Sequence, residues 1–143
     1  MKRDFASFDK MVNDVLQFQE VFNLLVNHEP TSQVPQQLYE LRHRLMHEEN
    51  EEYLAACQEG NLTDIADALG DKLYILLGTI ITHGLQHKIA EVFEEIHRSN
   101  MSKLDRDGKP IYREDGKIMK SDQYFKPDIN KILSMDIIAA DKS

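Results

Sequence analysis

A chain of 143 residues is one domain of ordinary size, long enough for a modest core. Its single cysteine, Cys57, excludes an internal disulfide, the start Met1-Lys2-Arg3-Asp4 lacks the apolar run of a signal peptide, and no apolar stretch is long enough to span a bilayer; a soluble, cytoplasmic protein with no membrane partner is expected. Residues 1–100 carry 8 Lys and Arg against 17 Asp and Glu, net −9, while residues 101–143 carry 9 against 8, net +1. An acidic body excludes nucleic-acid binding, which depends on neutralising phosphates with Lys and Arg, whereas the basic tail (Lys103, Arg106, Lys109, Arg113, Lys117, Lys120) suits a small polyphosphate.

Hydrophobic spacing predicts four helices in the first hundred residues. Helix one is expected from about Phe5 to Val26, with Phe8, Val12, Val15, Phe18 or Gln19, and Phe22 on its inner side. Helix two is expected from near Pro35, after the capping candidates Thr31 and Ser32, to Gly60. Helix three should start after Asn61 or Thr63 and end by Gly84, and helix four should cover about Gln86 to Asn100, with Ile89, Val92, Phe93 and Ile96 on one side. In the tail, Asp105 to Gly108 and Glu114 to Gly116 are turn signals. Ile111-Tyr112 and Lys117-Ile118-Met119 read as hairpin strands around Asp115-Gly116, and a last helix follows Pro127 through Ile129, Ile132, Leu133 and Ile137. The chain is thus expected to be an all-α antiparallel bundle of about four core helices over residues 1–100, with an irregular tail over 101–143.

The acidic residues are placed unusually. At about 100° per residue, Glu48, Glu49 and Glu52 share a stripe with Leu38, Leu41, Leu45, Ala55 and Ala56, so three carboxylates point where the helix buries its apolar side. A second set, Asp64, Asp67 and Asp71, opens the next helix in line with Ile75, Gly78 and Thr82. Like charges one turn apart cost a few tenths of a kcal/mol even when solvated, and desolvating unpaired carboxylates costs far more. Something positive belongs between them, and divalent cations are the simplest candidate. Glutamate runs on helices are usually solvated faces, but this one lies on an apolar stripe and faces a second acidic set; Glu51 and Glu59 read as surface residues.

Helix three is apolar nearly all round. Leu62, Ile65, Leu69, Leu73, Leu76 and Ile80 form one stripe, while Tyr74, Ile75, Leu77 and Ile81 cover much of the rest. Such a helix is buried on several sides. In so small a domain a second subunit is expected to cover one of them, with Leu77 and Ile81 as the candidates for that second face.

The run Glu48-Glu49-Asn50-Glu51-Glu52, followed by Asp64-Ile-Ala-Asp67-Ala-Leu-Gly-Asp71-Lys-Leu-Tyr74 with Gly78-Thr79 beyond, resembles the paired motifs of the all-alpha nucleoside triphosphate pyrophosphohydrolase superfamily, which includes MazG, the phosphoribosyl-ATP pyrophosphohydrolases and the dimeric dUTPases. Val92 to Leu104, Asp107-Gly108-Lys109-Pro110 and Asp115-Gly116-Lys117 are similar to the end of the bundle in the phosphoribosyl-ATP pyrophosphohydrolase-like branch. The likeness covers about residues 35 to 130. One departure stands out: the second motif is usually Glu-x-x-Asp, and the position three before Asp71 is Ala68. Asp67 or Asp64 can take the vacant ligand place.

The resemblance implies attack between the α and β phosphates, giving a nucleoside monophosphate and pyrophosphate, and at least a homodimer or homotetramer. Magnesium takes hard oxygen donors, with manganese a substitute, so Glu48, Glu49, Glu52, Asp71, Asp67 and Asp64 are the candidate metal ligands, Glu49 also the candidate general base, and Asn100, Lys103, Arg98 and Lys120 the candidate substrate contacts. Competing readings exist. The pairs Glu40/His43 and Glu94/His97 have the Glu-x-x-His spacing of di-iron bundles, but Glu40 and His43 fall away from Glu48 and Glu52. His83 and His87 have ligand spacing, but Gly84 should break the helix between them. Cys57 lies opposite the carboxylate stripe. A non-catalytic helical module docking a basic partner is the remaining alternative. The base and sugar of the substrate carry no signature.

Overall fold

In the computed structural model, which describes residues 7–140 and side chains as far as residue 135, the first three helices end where the backbone turns left-handed. α1 (Phe8–Val21) stops before Asn23, at φ 55°, where Asn23 N–H donates to Glu20 O and Leu24 N–H to Gln19 O, the bond pair of a Schellman cap. This stop precedes the expected Val26; Phe5 lies outside the described residues. Gly60 and Gly84, both at φ 68°, close α2 (Gln36–Glu59) and α3 (Leu62–Thr82) in the same way, with Asn61 N–H on Ala56 O and Leu85 N–H on Ile80 O. Asn61 then caps α3, its side-chain oxygen accepting from Asp64 N–H at 3.1 Å. Thr31 and Ser32 do not cap α2. Thr31 instead donates its N–H to His83 O at 2.9 Å and accepts Gln33 N–H on its hydroxyl, so this segment is tied to the end of α3.

The chain divides into two compact units, Met1–Gln86 and His87–Ser143. In the first, α3 packs against both α1 and α2. Its core is Val15, Leu77 and Ile81, flanked by Met11, Val12, Leu16, Val26 and Ile80. Leu77 and Ile81 are therefore the intrachain core and not an outward second face. The outward side is the stripe expected to be inner: Leu69, Leu73 and Leu76 are 50%, 42% and 43% exposed. On α1, Gln19 rather than Phe18 is buried, and Phe22 faces out. A buried amide is tolerated because its Nε2 donates to Leu25 O at 2.9 Å, satisfying the group that burial would otherwise orphan.

A polar strut crosses from α2 to α3. Arg42 Nη2 donates to Ile75 O at 2.7 Å and Nε to Thr79 Oγ1 at 3.0 Å. Gly78 makes room for it, since a Cβ there would lie 2.5 Å from both Arg42 Nη2 and Gln19 Oε1.

The second unit holds α4 (Ile89–Met101), the strands β1 (Ile111–Tyr112) and β2 (Ile118–Met119), and α5 (Ile129–Ala140). α4 starts later than expected because Gln86 is committed to the first unit, where its Nε2 donates to Asn27 O at 2.8 Å. β1 and β2 pair antiparallel, Ile111 with Met119 and Tyr112 with Ile118, around a turn that needs Gly116 at φ 85°. α4 and α5 pack together with Ile132 buried, whereas Phe93 is exposed rather than inner; Ile137 falls outside the described side chains. Serines staple the tail to α4: Ser99 Oγ donates to Phe125 O at 2.9 Å and Ser121 Oγ to Leu104 O at 2.7 Å. Among the described residues, no helix is long and apolar enough to cross a membrane.

Gly78→Ala should destabilise the protein by about 1–3 kcal/mol, the range for inserting a methyl into a filled site, because the displaced Arg42 and Gln19 ends are both hydrogen-bonded. Chemical denaturation measures this, and a variant as stable as the parent would show that the strut is loose.

Candidate active site at the α2–α3 seam

The pairing of α2 with α3 brings the two acidic sets together. Ala56 and Ala68 are buried at the seam, their small side chains letting the helices approach where the carboxylates flank them. Glu52, Glu59, Asp64 and Asp67 line one open cleft of about 250 Å³ with Ala55 and Ala56. Glu49 sits beside this group and feels the charges of Glu52, Asp71 and Asp67. Glu49, Glu52, Asp64, Asp67 and Asp71 therefore converge. Glu48 is exposed and belongs to neither set of contacts.

Glu49 is the singular member. Its Oε2 is buried and has no hydrogen-bond partner among the described residues. Desolvation first, then the Glu52 carboxyl within hydrogen-bonding reach and the charges of Glu52, Asp71 and Asp67, push its pKa up from the ordinary 4.5 to about 7. An orphaned carboxylate oxygen facing three more carboxylates fits a hard divalent cation, whose charge would satisfy it. Among the described residues, no three carboxylate, imidazole or thiol groups already close on one point as a coordination shell; the donors form an open acidic cleft. Lys72 Nζ donates to Asn50 Oδ1 across the same two helices, so this cation is engaged by an amide.

The candidate substrate residues all lie in the second unit. Asn100 is exposed and Lys103 half-buried at the end of α4. Arg98 pairs with Glu95 at 2.7 Å and covers the Phe125 ring at 4.4 Å, and Lys120 lies 4.7 Å from the centre of the Tyr124 ring. Glu40 and His43 are exposed on α2, with Gln36 Nε2 donating to Glu40 Oε1. Gly84 does break the chain after α3, and His83 Nδ1 lies 3.1 Å from Thr31 O. Cys57 is exposed.

Sequence reasoning passed over two residues. Glu59 is exposed, as the sequence reading has it, and also lines the cleft; its spacing of seven from Glu52 is the signal that places it on the same ridge. Arg42 lies seven residues before Glu49, hence on the same side of α2, and its guanidinium is half-buried with no carboxylate partner among the described residues; burial lowers its pKa. The stripe that identified the carboxylates also contains it.

In metal-free protein the native Glu49 carboxyl keeps its proton up to about pH 7, whereas the unfolded chain releases it near 4.5. The native state then binds more protons between these values, so its contribution to stability is greatest below about pH 4.5, falls as pH rises to about 7, and is level above. Glu49→Gln should remove this slope. Thermal melts in chelator across that range test it, and an identical slope in the variant would sink the assignment.

The model of the phosphoribosyl-ATP pyrophosphohydrolase family matches residues 15–100, a span containing both acidic helices. The crystal structure of a candidate NTP pyrophosphohydrolase from Exiguobacterium sp. 255-15 is similar at 25% identity over 92% of this chain and 96% of that one, with a TM-score of 0.43. No curated protein matches. Because the family model spans more than half of the sequence and every convergent carboxylate, the protein belongs to the phosphoribosyl-ATP pyrophosphohydrolase family and is a hydrolase of the pyrophosphohydrolase type.

Proposed function

We propose that the protein hydrolyses nucleoside triphosphates between the α and β phosphates, with magnesium held at the α2–α3 seam. The observation that carries this reading is the buried Glu49 Oε2, which has no hydrogen bond among the described residues and lies in a group with Glu52, Asp67 and Asp71. Glu49, Glu52, Asp71 and Asp67 would hold the cation, with Asp64 and Glu48 at the margin and manganese a substitute. When bound, such a cation supplies neutralisation of polyphosphate charge and acidification of water. Glu49 accepts the proton of the attacking water through the oxygen that it does not give to the cation. The water oxygen bonds to the α phosphorus, the bond from that phosphorus to the bridging oxygen breaks, and the electron pair leaves on pyrophosphate.

A nucleotide panel assayed for products tests the reaction. Monophosphate and pyrophosphate are expected; release of orthophosphate with a diphosphate would overturn the cleavage site. Glu52→Gln and Asp71→Asn should abolish turnover yet leave the metal-free fold as stable or more so, since each removes repulsion. Magnesium at about 100 times its Kd should stabilise the parent by about 2.7 kcal/mol. No shift with excess magnesium, together with no change of activity in chelator, would refute the metal site.

The same reading includes a homodimer or homotetramer. It is supported by the aliphatic stripe of α3, where Leu69, Leu73 and Leu76 stay half exposed, since obligate interfaces resemble a core cut in half. Leu69→Glu should leave the intrachain core of Leu77 and Ile81 untouched and reduce the assembly to the 16.6 kDa monomer. Light scattering reads the mass, and a monomeric wild type at micromolar concentration would refute assembly.

A further inference from the structure

Polar groups from α1, α2 and α3 meet at Gly78. A Cβ there would touch both Arg42 Nη2 of α2 and Gln19 Oε1 of α1, and Gln19 is itself only 2% exposed. On the α3 side the contact is a closed ring of hydrogen bonds. Thr79 Oγ1 donates to Ile75 O at 2.8 Å, which leaves the hydroxyl oxygen to accept from Arg42 Nε, while Arg42 Nη2 donates to the same Ile75 O. The guanidinium fork is rigid and planar, and its two acceptors come from residues one turn apart on α3. Sliding α2 along α3 by a single residue, about 1.5 Å, or rotating either helix on its axis distorts both bonds at once.

From this arrangement we infer that Arg42 is a positioning residue for the acidic cleft, setting the register in which the carboxylates of α2 face those of α3. The inference rests on the pyrophosphohydrolase reading, with its cation at the seam, and adds what holds the ligand set in place. The two helices run antiparallel and in step. Arg42 binds Ile75 and Thr79, Asn50 receives Lys72, and Glu52 and Ala56 share the cleft with Asp67 and Asp64. Glu49 stands seven residues beyond Arg42, and Asp71 eight before Thr79, so strut and carboxylates are two layers of one seam, about 10–12 Å apart. The carboxylates repel one another and cannot fix this register themselves. The bond from Lys72 to Asn50 is exposed, where water competes for both groups. The strut on one side and the tight link at Gly60 and Asn61 on the other therefore bracket the cleft. Magnesium needs oxygens at about 2.0–2.1 Å in near-ideal octahedral geometry, so a register error of about 1 Å is enough to scatter its ligands.

Arg42→Met keeps an unbranched side chain and removes the donors. Manganese binding without nucleotide, read from the paramagnetic resonance of the free ion, should weaken about tenfold, the lower end for outer-shell partners of a metal site. At saturating manganese kcat should fall with KM near the parent value, because ligands are misplaced while substrate contacts are kept. Thr79→Val removes the acceptor of Nε and should reproduce the loss; Thr79→Ser keeps the hydroxyl and should retain binding. The Thr79 pair also serves if Arg42→Met does not fold. Val15→Ala weakens the core without touching the strut, so it should keep the parent affinity, and a loss equal to that of Arg42→Met would overturn the proposal by reducing it to stability. Parent affinity in folded Arg42→Met would overturn it, as would a rise in KM alone, which would make Arg42 a substrate contact. A distance measured in chelator separates this role from the cation. In a Cys57→Ser background, nitroxides on Glu51→Cys and Ala66→Cys, exposed positions of α2 and α3, report the interhelical spacing. Arg42→Met should shift or broaden the distance distribution, and one identical to the parent's would overturn the proposal. A parent that binds no manganese would instead sink the metal reading, and the distance distribution would still decide the role of Arg42 by itself.

Discussion

The seam between α2 and α3 carries uncompensated charge at two levels, and the rest of the first unit is arranged around that constraint. Glu49 is desolvated with Glu52, Asp67 and Asp71 nearby, a set of like charges that weakens helix packing. Two turns away along α2, Arg42 is half-buried with hydrogen bonds to a carbonyl and a hydroxyl of α3 and, among the described residues, no anion against it. Opposite charges two turns apart on one face are too distant to pair directly. The acidic end is therefore left without a countercharge among the described residues, while the basic end fastens the helices.

Close approach at this seam depends on small residues. Ala56 and Ala68 are buried where the carboxylates converge, and Gly78 leaves the volume that Arg42 and Gln19 occupy. Left-handed residues at the helix ends, Asn23, Gly60 and Gly84, reverse the chain promptly, so the long pairing of α2 with α3 is reached through the short link at Asn61. The price of repulsion in the cleft is borne by this packing and by the Val15, Leu77 and Ile81 core.

The separation of α3 into three faces gives each a different role. One side meets α2 at Ile75 and Thr79, which receive Arg42, a second meets α1 through Leu77 and Ile81, and the third exposes Leu69, Leu73 and Leu76. Periodicity identifies stripes on such a helix, but when every stripe is apolar it contains no information on which neighbour takes which. This is why the stripe of Leu69, Leu73 and Leu76 read as inner and Leu77 with Ile81 as outer, the reverse of their packing.

The sequence by itself determined the helical class, the ends of α2 and α3, the hairpin around Asp115-Gly116 and the two acidic ridges, because capping residues, turn glycines and the 3.6-residue period act locally. It also carried the family resemblance, through the Glu48 to Glu52 run and Asp71. Tertiary structure alone decided that Gln19 rather than Phe18 is buried, that Glu59 joins the cleft, that Arg42 spans the seam, and that Thr31 binds the end of α3 instead of capping α2. Each of these depends on which atoms from distant segments arrive at the same place, and burial, hydrogen-bond satisfaction and pKa are properties of that meeting rather than of any one stretch of chain.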